Sequence, residues 1–328
     1  MFKKYLKLFD ESEYSTQEYS KFTISEWNWF LKTYTYIFRS IDKSIFQWYF
    51  NLGNHFTVLV SRNQDYFGIY GLLNIKILIN GTVSNSYLCH NVGIKKEYSG
   101  KGFFQFIGEK ALKKILKQDE IALGFPNKAS KKGHLRLGWE EIGSMQFMLY
   151  SSNEKKELSI DKEYIFEQVS EIPQTINELV TKTSSMFSLR LEKKSRFLNW
   201  RCSKPLTKYQ IYLIKKSHKI VGYLVLKEYT DNNEKRLHLV DFLFEDIHVL
   251  NNLIIFSINK YRTNDYHFLN IWIVLDSFYQ NIFSKHKFIL QKDMPSYPII
   301  LFQKDKQFDF LKIDRQKMFF TLFDNDVY

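Results

Sequence analysis

The chain has 328 residues, 45% hydrophobic and 25% charged, a balance that excludes a disordered chain and leaves room for two domains or one large one. Lys and Arg number 47 against 35 Asp and Glu, giving a formal charge of +12 that favours anionic partners. The excess is spread along the chain, without the basic block or helix stripe that nucleic-acid binding needs, and no apolar run reaches the roughly 18 residues of a membrane span.

Met1–Tyr5 is followed by charged residues instead of an apolar signal core. Cys89 and Cys202 lie far apart with no metal-ligand spacing around them. The expectation is a cytoplasmic protein without structural disulfide, metal, nucleic-acid or membrane partner. Trp27, Phe30, Leu31, Tyr34 and Phe38 recur at helical spacing. A strand-like run at Phe56–Val60, a polar turn at Arg62–Asp65 and a second run at Phe67–Ile79 follow. Asn80-Gly81 is a type I′ hairpin signal leading into a third strand, Ser86–Ile94. Phe103–Gln118 reads as an amphipathic helix with Phe104, Ile107, Ala111 and Ile115 on one face, and Ile121–Phe125 as a buried strand. The pattern predicts an α/β protein with a mixed, mainly antiparallel sheet and flanking helices.

The second half repeats the opening. Ser195–Arg201 with Trp200 matches Ser44–Tyr49 with Trp48, and each precedes a hairpin whose second strand carries a Gly, Gly68 and Gly222. The shared order points to duplication, with core roles favoured for both tryptophans. Ser151–Glu157 is the expected linker, giving domains 1–155 and 156–328.

Chemistry concentrates in His90-Asn91-Val92-Gly93-Ile94-Lys95-Lys96-Glu97-Tyr98-Ser99-Gly100-Lys101-Gly102-Phe103-Phe104. A strand running through a Gly-containing turn into a helix aims backbone N–H groups and a helix dipole at one point, where a diphosphate binds. Gly100 and Gly102 allow close approach of the backbone. The P-loop pattern fails because Gly102, not Ser or Thr, follows Lys101, and the dinucleotide fingerprint fails at Gln105.

Glu97–Gly102 resembles the pyrophosphate loop of the GNAT (GCN5-related N-acetyltransferase) superfamily, Arg/Gln-x-x-Gly-x-Gly/Ala, with Glu97 departing at the first position. Gly124-Phe125-Pro126-Asn127 and His134–Trp139 resemble that superfamily's fifth strand and the region after it, with His134 where many members carry a general-acid Tyr. Together with Phe46-Gln47-Trp48 and Thr321–Asp326, these motifs resemble tandem GNAT proteins of bacterial surface-polysaccharide clusters.

That resemblance implies two GNAT-like domains, the first catalytic. The second has Asp241–Asp246 in place of a Gly-x-Gly loop, is degenerate, and shapes the acceptor site. It also implies direct transfer of an acyl group from acyl-CoA to a nucleotide-linked aminodeoxysugar, the leading choice being a dTDP-3-amino-3,6-dideoxyhexose of O-antigen or capsule synthesis. Val92, Gly93, Ile94, Ser99, Gly100, Lys101, Gly102, Phe103 and Asn127 would bind the cofactor, and Asn91, Asp324 and Asp326 the acceptor. His90 is the candidate base, against a sheet histidine bonded locally; His134 is the candidate acid, against a helix cap. A peptide or protein N-acetyltransferase, a non-catalytic acyl-CoA-binding module and a tRNA-dependent amino-acid transferase remain open alternatives.

Overall fold

The computed structural model describes residues 8–38, 41–61, 63–231, 234–305 and 309–325; Asp326, and Arg62 of the predicted turn, lie outside them. In chain order the first half comprises β1 (Tyr14–Tyr19), α1 (Ile24–Ile37), α2 (Lys43–Phe50), β2 (Asn54–Ser61), β3 (Tyr66–Ile79), β4 (Thr82–Ile94), α3 (Phe103–Ile115), β5 (Ile121–Gly124), α4 (Lys128–Leu137) and β6 (Glu140–Tyr150). The second comprises β7 (Ile165–Val169), α5 (Ile176–Lys182), β8 (Leu189–Leu191), α6 (Ser195–Cys202), β9 (Tyr209–Lys216), β10 (Lys219–Asp231), β11 (Glu234–Phe244), α7 (Ile247–Arg262), β12 (Phe268–Val274), α8 (Phe278–Lys285), β13 (Ile289–Leu290) and β14 (Tyr297–Gln303).

Local chemistry sets these boundaries. Thr23 and Glu26 close a reciprocal capping box on α1, and the Asp42 carboxylate accepts the Ser44 N–H to start α2. Asn80 and Gly81 both take positive φ, +47° and +82°, which makes the two-residue turn between β3 and β4 the expected type I′.

Two compact units result, and they are interleaved along the chain. The first holds residues 1–76, 84–142 and 298–311, the second 77–83, 143–297 and 312–328, so the expected division at residue 155 does not describe them. The cause is strand pairing. β14, late in sequence, pairs antiparallel with β5 of the first unit, and β6, which follows α4, pairs antiparallel with β12 of the second.

Within the first unit the strand order is β1-β2-β3-β4-β5-β14, and within the second β6-β12-β11-β10-β9-β7. β4 pairs parallel with β5 and β11 with β12, each joined through a crossover helix, α3 or α7. In both units two helices precede a three-stranded antiparallel run, then a helix, a parallel strand and another helix, so the duplication expected from the sequence is present in the element order. Trp48 and Trp200 are both buried, on α2 and α6.

The first unit's core lies on both faces of its sheet. Phe103, Phe106, Ile107, Ala111 and Leu112 of α3 pack with Tyr70, Cys89 and Trp139 on one side. Phe30 and Phe46, from α1 and α2, meet Phe56 on the other. A buried Phe stabilises by about 1.5–3 kcal/mol, so these aromatic layers hold the strand ends that carry the site.

Candidate functional site

The β4–β5 pairing runs from Ser86↔Ile121 to Cys89↔Gly124 and stops there. Past that point β4 continues to Ile94, while the chain after β5 turns through Phe125-Pro126-Asn127 into α4. Between the two lies a cleft of about 840 Å³ within the first unit. Val92, Gly93 and Ile94 form one wall; Ala129, Ser130 and Gly133 of α4 form another, their small side chains leaving it open.

The pyrophosphate-type loop closes one end of this cleft. Gly100 sits at φ +80°, and an added Cβ there would meet nothing within 4 Å. Gly102 at φ +96° is the N-cap of α3 and offers no capping side chain. The first-turn amides of Phe103, Phe104 and Gln105 therefore have no side-chain acceptor from the cap residue, and they carry the positive end of a 13-residue helix. Asp65 braces the loop by accepting from Lys95 Nζ at 2.8 Å and Tyr98 Oη at 3.0 Å. Burial, then the bond to Asp65, pushes the Tyr98 phenol up to about 12, so it stays a donor at neutral pH.

Two cations, Lys132 and Arg136, line the cleft from α4, and neither makes an ion pair among the described residues. Lys132, Arg136 and Tyr98 are its titratable lining residues; no imidazole or carboxylate among the described residues lines it. These cations went unnoticed in the sequence, where the Lys-Ala-Ser-Lys-Lys-Gly run of α4 carried the signal.

Of the predicted cofactor residues, Val92, Gly93, Ile94, Ser99, Gly100, Gly102 and Asn127 line the cleft. The Asn127 side chain also caps α4, accepting from the Ser130 N–H at 3.0 Å. Lys101 and Phe103 do not line it: the Lys101 ammonium lies over the Tyr98 ring, and the buried Phe103 ring stacks on Phe9 at 3.9 Å. Phe103 is left with a backbone role. Glu97, the departure from the family motif, is exposed and outside the cleft lining, so it does not block the loop.

The candidate catalytic residues sit elsewhere than expected. His90 is 3% exposed, stacks on Tyr49 at 4.8 Å and bonds Asn91 through Nδ1 at 2.6 Å. His134 is buried among Tyr70, Phe104 and Trp139, with Nδ1 unpartnered, and does not cap α4, which begins at the Asn127 cap. Desolvation holds its pKa down to about 3, so the imidazole is neutral at neutral pH and cannot serve there as a cationic acid.

Asp324 is fully buried in the second unit, where Lys193 Nζ binds it at 3.0 Å and Asp241 at 2.6 Å, and the Thr321 hydroxyl bridges both carboxylates. Burial, and next the charge of Asp241, raise its pKa against the opposing pull of Lys193. An acid enclosed this way closes a core and is withdrawn from the acceptor contacts.

The second unit has no glycine loop at the corresponding strand-to-helix passage. Only Glu245 and Asp246 separate β11 from α7, and the Asp246 carboxylate accepts the Val249 N–H at 2.9 Å. A fixed anion occupies the helix end that α3 leaves open.

No protein-family model matches the sequence, and no curated protein matches it significantly. Solved structures do match. A GCN5-related N-acetyltransferase from Anabaena variabilis ATCC 29413 aligns with TM-score 0.69 at 14% identity, over 88% of this chain and 72% of that one. The fold is that of the GCN5-related N-acetyltransferases. A conserved protein of unknown function from Enterococcus faecalis V583, described as a probable N-acyltransferase, aligns with TM-score 0.69 at 11% identity, over 90% of this chain and 73% of that one. A GCN5-related N-acetyltransferase from Kribbella flavida gives 0.64 at 12%, over 90% and 73%. The cleft and the open α3 end lie in the first unit, whereas the second repeats the element order with its helix end capped. Among the described residues no cluster of three or more His, Cys, Asp or Glu is placed to hold a metal, and no helix is long and apolar enough to cross a membrane.

Proposed function

We propose that the chain is an acyl-CoA-dependent N-acyltransferase whose chemistry takes place in the first unit. The observation that carries this reading is the uncapped N-terminus of α3, set behind Gly100 and Gly102 at the mouth of a cleft edged by Lys132 and Arg136. Backbone amides, a helix dipole and two cations fit the phosphates of coenzyme A. The narrow, small-residue space between β4 and α4 fits the extended arm of the cofactor.

Acyl-CoA supplies the thioester. A neutral amine attacks its carbonyl carbon, the C–N bond forms, the C–S bond breaks and the thiol leaves. The backbone around Val92 and Gly93 is the candidate donor to the carbonyl oxygen; one such donor contributes about 3 kcal/mol. No carboxylate or imidazole among the described residues lines the cleft, and the ammonium proton is proposed to leave to water. The acceptor we propose is a nucleotide-linked aminodeoxysugar, supported by the likeness of the Phe46–Trp48 and Gly124–Asn127 motifs to sugar N-acyltransferases and by the cationic rim. A cytoplasmic location follows from that substrate.

Thiol release from acetyl-CoA should be measured with a panel of dTDP-3-amino-3,6-dideoxyhexoses, UDP-amino sugars and peptides with a free amine. Release with a sugar supports the full reading, and release with peptides alone moves the acceptor. Gly102→Val should abolish coenzyme A binding by calorimetry while the circular dichroism stays native. Wild-type affinity in that folded variant would remove the cofactor from this loop.

A further inference from the structure

Strict alternation along β4 would put Cys89, Asn91 and Gly93 on one face, yet Cys89, Val92 and Ile94 all pack on the α3 side. The break falls at Asn91, whose φ of +48° is one that Asn tolerates and most residues resist. The alternation changes phase there, and Gly93 faces α1. There a Cβ on Gly93 would lie 2.4 Å from Ile37 Cγ2 and 2.8 Å from the Phe38 ring, so that glycine lets the end of α1 seat directly on β4.

A hydrogen-bonded chain secures the same contact. Tyr34, one turn before Ile37 and Phe38, donates its hydroxyl to Asn91 Oδ1 at 2.9 Å. The other end of the amide, Nδ2, lies 2.6 Å from His90 Nδ1. An amide that accepts from Tyr34 must donate to His90, which places the imidazole proton on Nε2, beside Gly71. The stack on Tyr49 and the edge of Phe56 hold the ring in that orientation. Ile37 and Phe38 line the cleft, whereas Tyr34, His90 and Asn91 do not.

We infer that Tyr34 and His90, acting through Asn91, are positioning residues that fix the last turn of α1 as the acceptor-side wall of the cleft. This rests on the transferase reading above, and it replaces the base role for His90 and the substrate-contact role for Asn91. His90 sets the direction of the Asn91 amide, the amide holds Tyr34, and Tyr34 holds Ile37 and Phe38. The coenzyme A loop follows β4 directly after Ile94, but its anion contacts, the first amides of α3 with Lys132 and Arg136, include none of Tyr34, His90 and Asn91.

Two variants isolate the effect. Tyr34→Phe removes one hydroxyl, and Asn91→Gly removes the amide while keeping a residue at ease with positive φ. With acetyl-CoA and the amine of the panel that gives the highest rate, both should raise the acceptor KM about tenfold, the value of one lost hydrogen bond. Coenzyme A affinity by calorimetry should stay within about twofold, since the loop's anion contacts are untouched. In full-length protein labelled with nitrogen-15 histidine, His90 should be protonated at Nε2, and its Nδ1 resonance should move in Asn91→Gly. Protonation at Nδ1 in the wild type overturns the order of the chain. An unchanged acceptor KM in both variants, with thermal stability alone lowered, overturns the positioning role. Absence of thiol release by the wild type with every amine overturns the transferase reading and the acceptor role with it, whatever the tautomer.

Discussion

Lys132 and Arg136 illustrate how much a single side chain's surroundings decide. Other lysines are held in pairs, such as Lys131 with Glu141 at 2.8 Å and Lys95 with Asp65 at 2.8 Å. Lys132 and Arg136 face the cleft without an ion pair among the described residues, so their charge is available to a ligand. Lys132→Ala and Arg136→Ala should each weaken coenzyme A binding by about tenfold at low salt, since a charge-assisted bond is worth about 1.5–3 kcal/mol before solvent screening reduces it. The loss should shrink as ionic strength rises. Calorimetry across a salt series checks this; an equal loss at every salt concentration would assign the effect to packing. His90 and Asn91 carry the complementary lesson. Their position beside the loop was legible from the sequence, but their roles were not, because which face of β4 each occupies depends on one residue at positive φ.

Two crossover helices on the same topology differ in how their first amides are satisfied. α3 starts at a glycine with no side-chain cap, after a loop braced by Asp65; α7 starts at Asp246, whose carboxylate already satisfies the Val249 N–H. The sequence showed this difference in advance, in Gly100-Lys101-Gly102 against Glu245-Asp246. Asp246→Ala should lower stability by about 1 kcal/mol, the usual cost of losing an N-cap. It should not create coenzyme A binding, because the loop needed to enclose the phosphates is missing there. Denaturant titration checks the first expectation and calorimetry on the Gly102→Val background the second; cofactor binding gained by that double variant would show that the cap alone silenced the second unit.

Each unit also buries a neutral imidazole. Burial holds His134 at about 3, and burial, then the charges of Lys227 and Arg236, hold His238 at about 3, against an ordinary 6.5. Below 6.5 the unfolded chain takes up protons that both residues refuse in the folded state. Stability is therefore full above 6.5 and falls as pH drops toward 3, by at most about 1.4 kcal/mol per pH unit for each residue. Chemical denaturation at intervals from pH 7 to pH 4 should show that decline, with a shallower slope in His134→Gln. An unchanged slope in that variant would mean that His134 titrates normally in the fold.

The sequence by itself determined the elements and the loop. Helical spacing from Trp27 to Phe38, the Asn80-Gly81 turn, the strand–glycine–helix passage at 90–104 and the repeated Trp48 and Trp200 segments are local signals, set by backbone geometry and side-chain period within one or two turns of chain. Tertiary structure alone decided which strands pair across long separations and which polar groups lose water. β14 joins β5 and β6 joins β12 because sheet edges are completed by whatever strand packs beside them, and sequence distance does not enter that choice. Burial made Asp324, expected at the acceptor, the partner of Lys193, and kept His134 neutral, because the desolvation of a charge depends on every atom packed around it. That surrounding is supplied by residues far along the chain, beyond the reach of any local pattern.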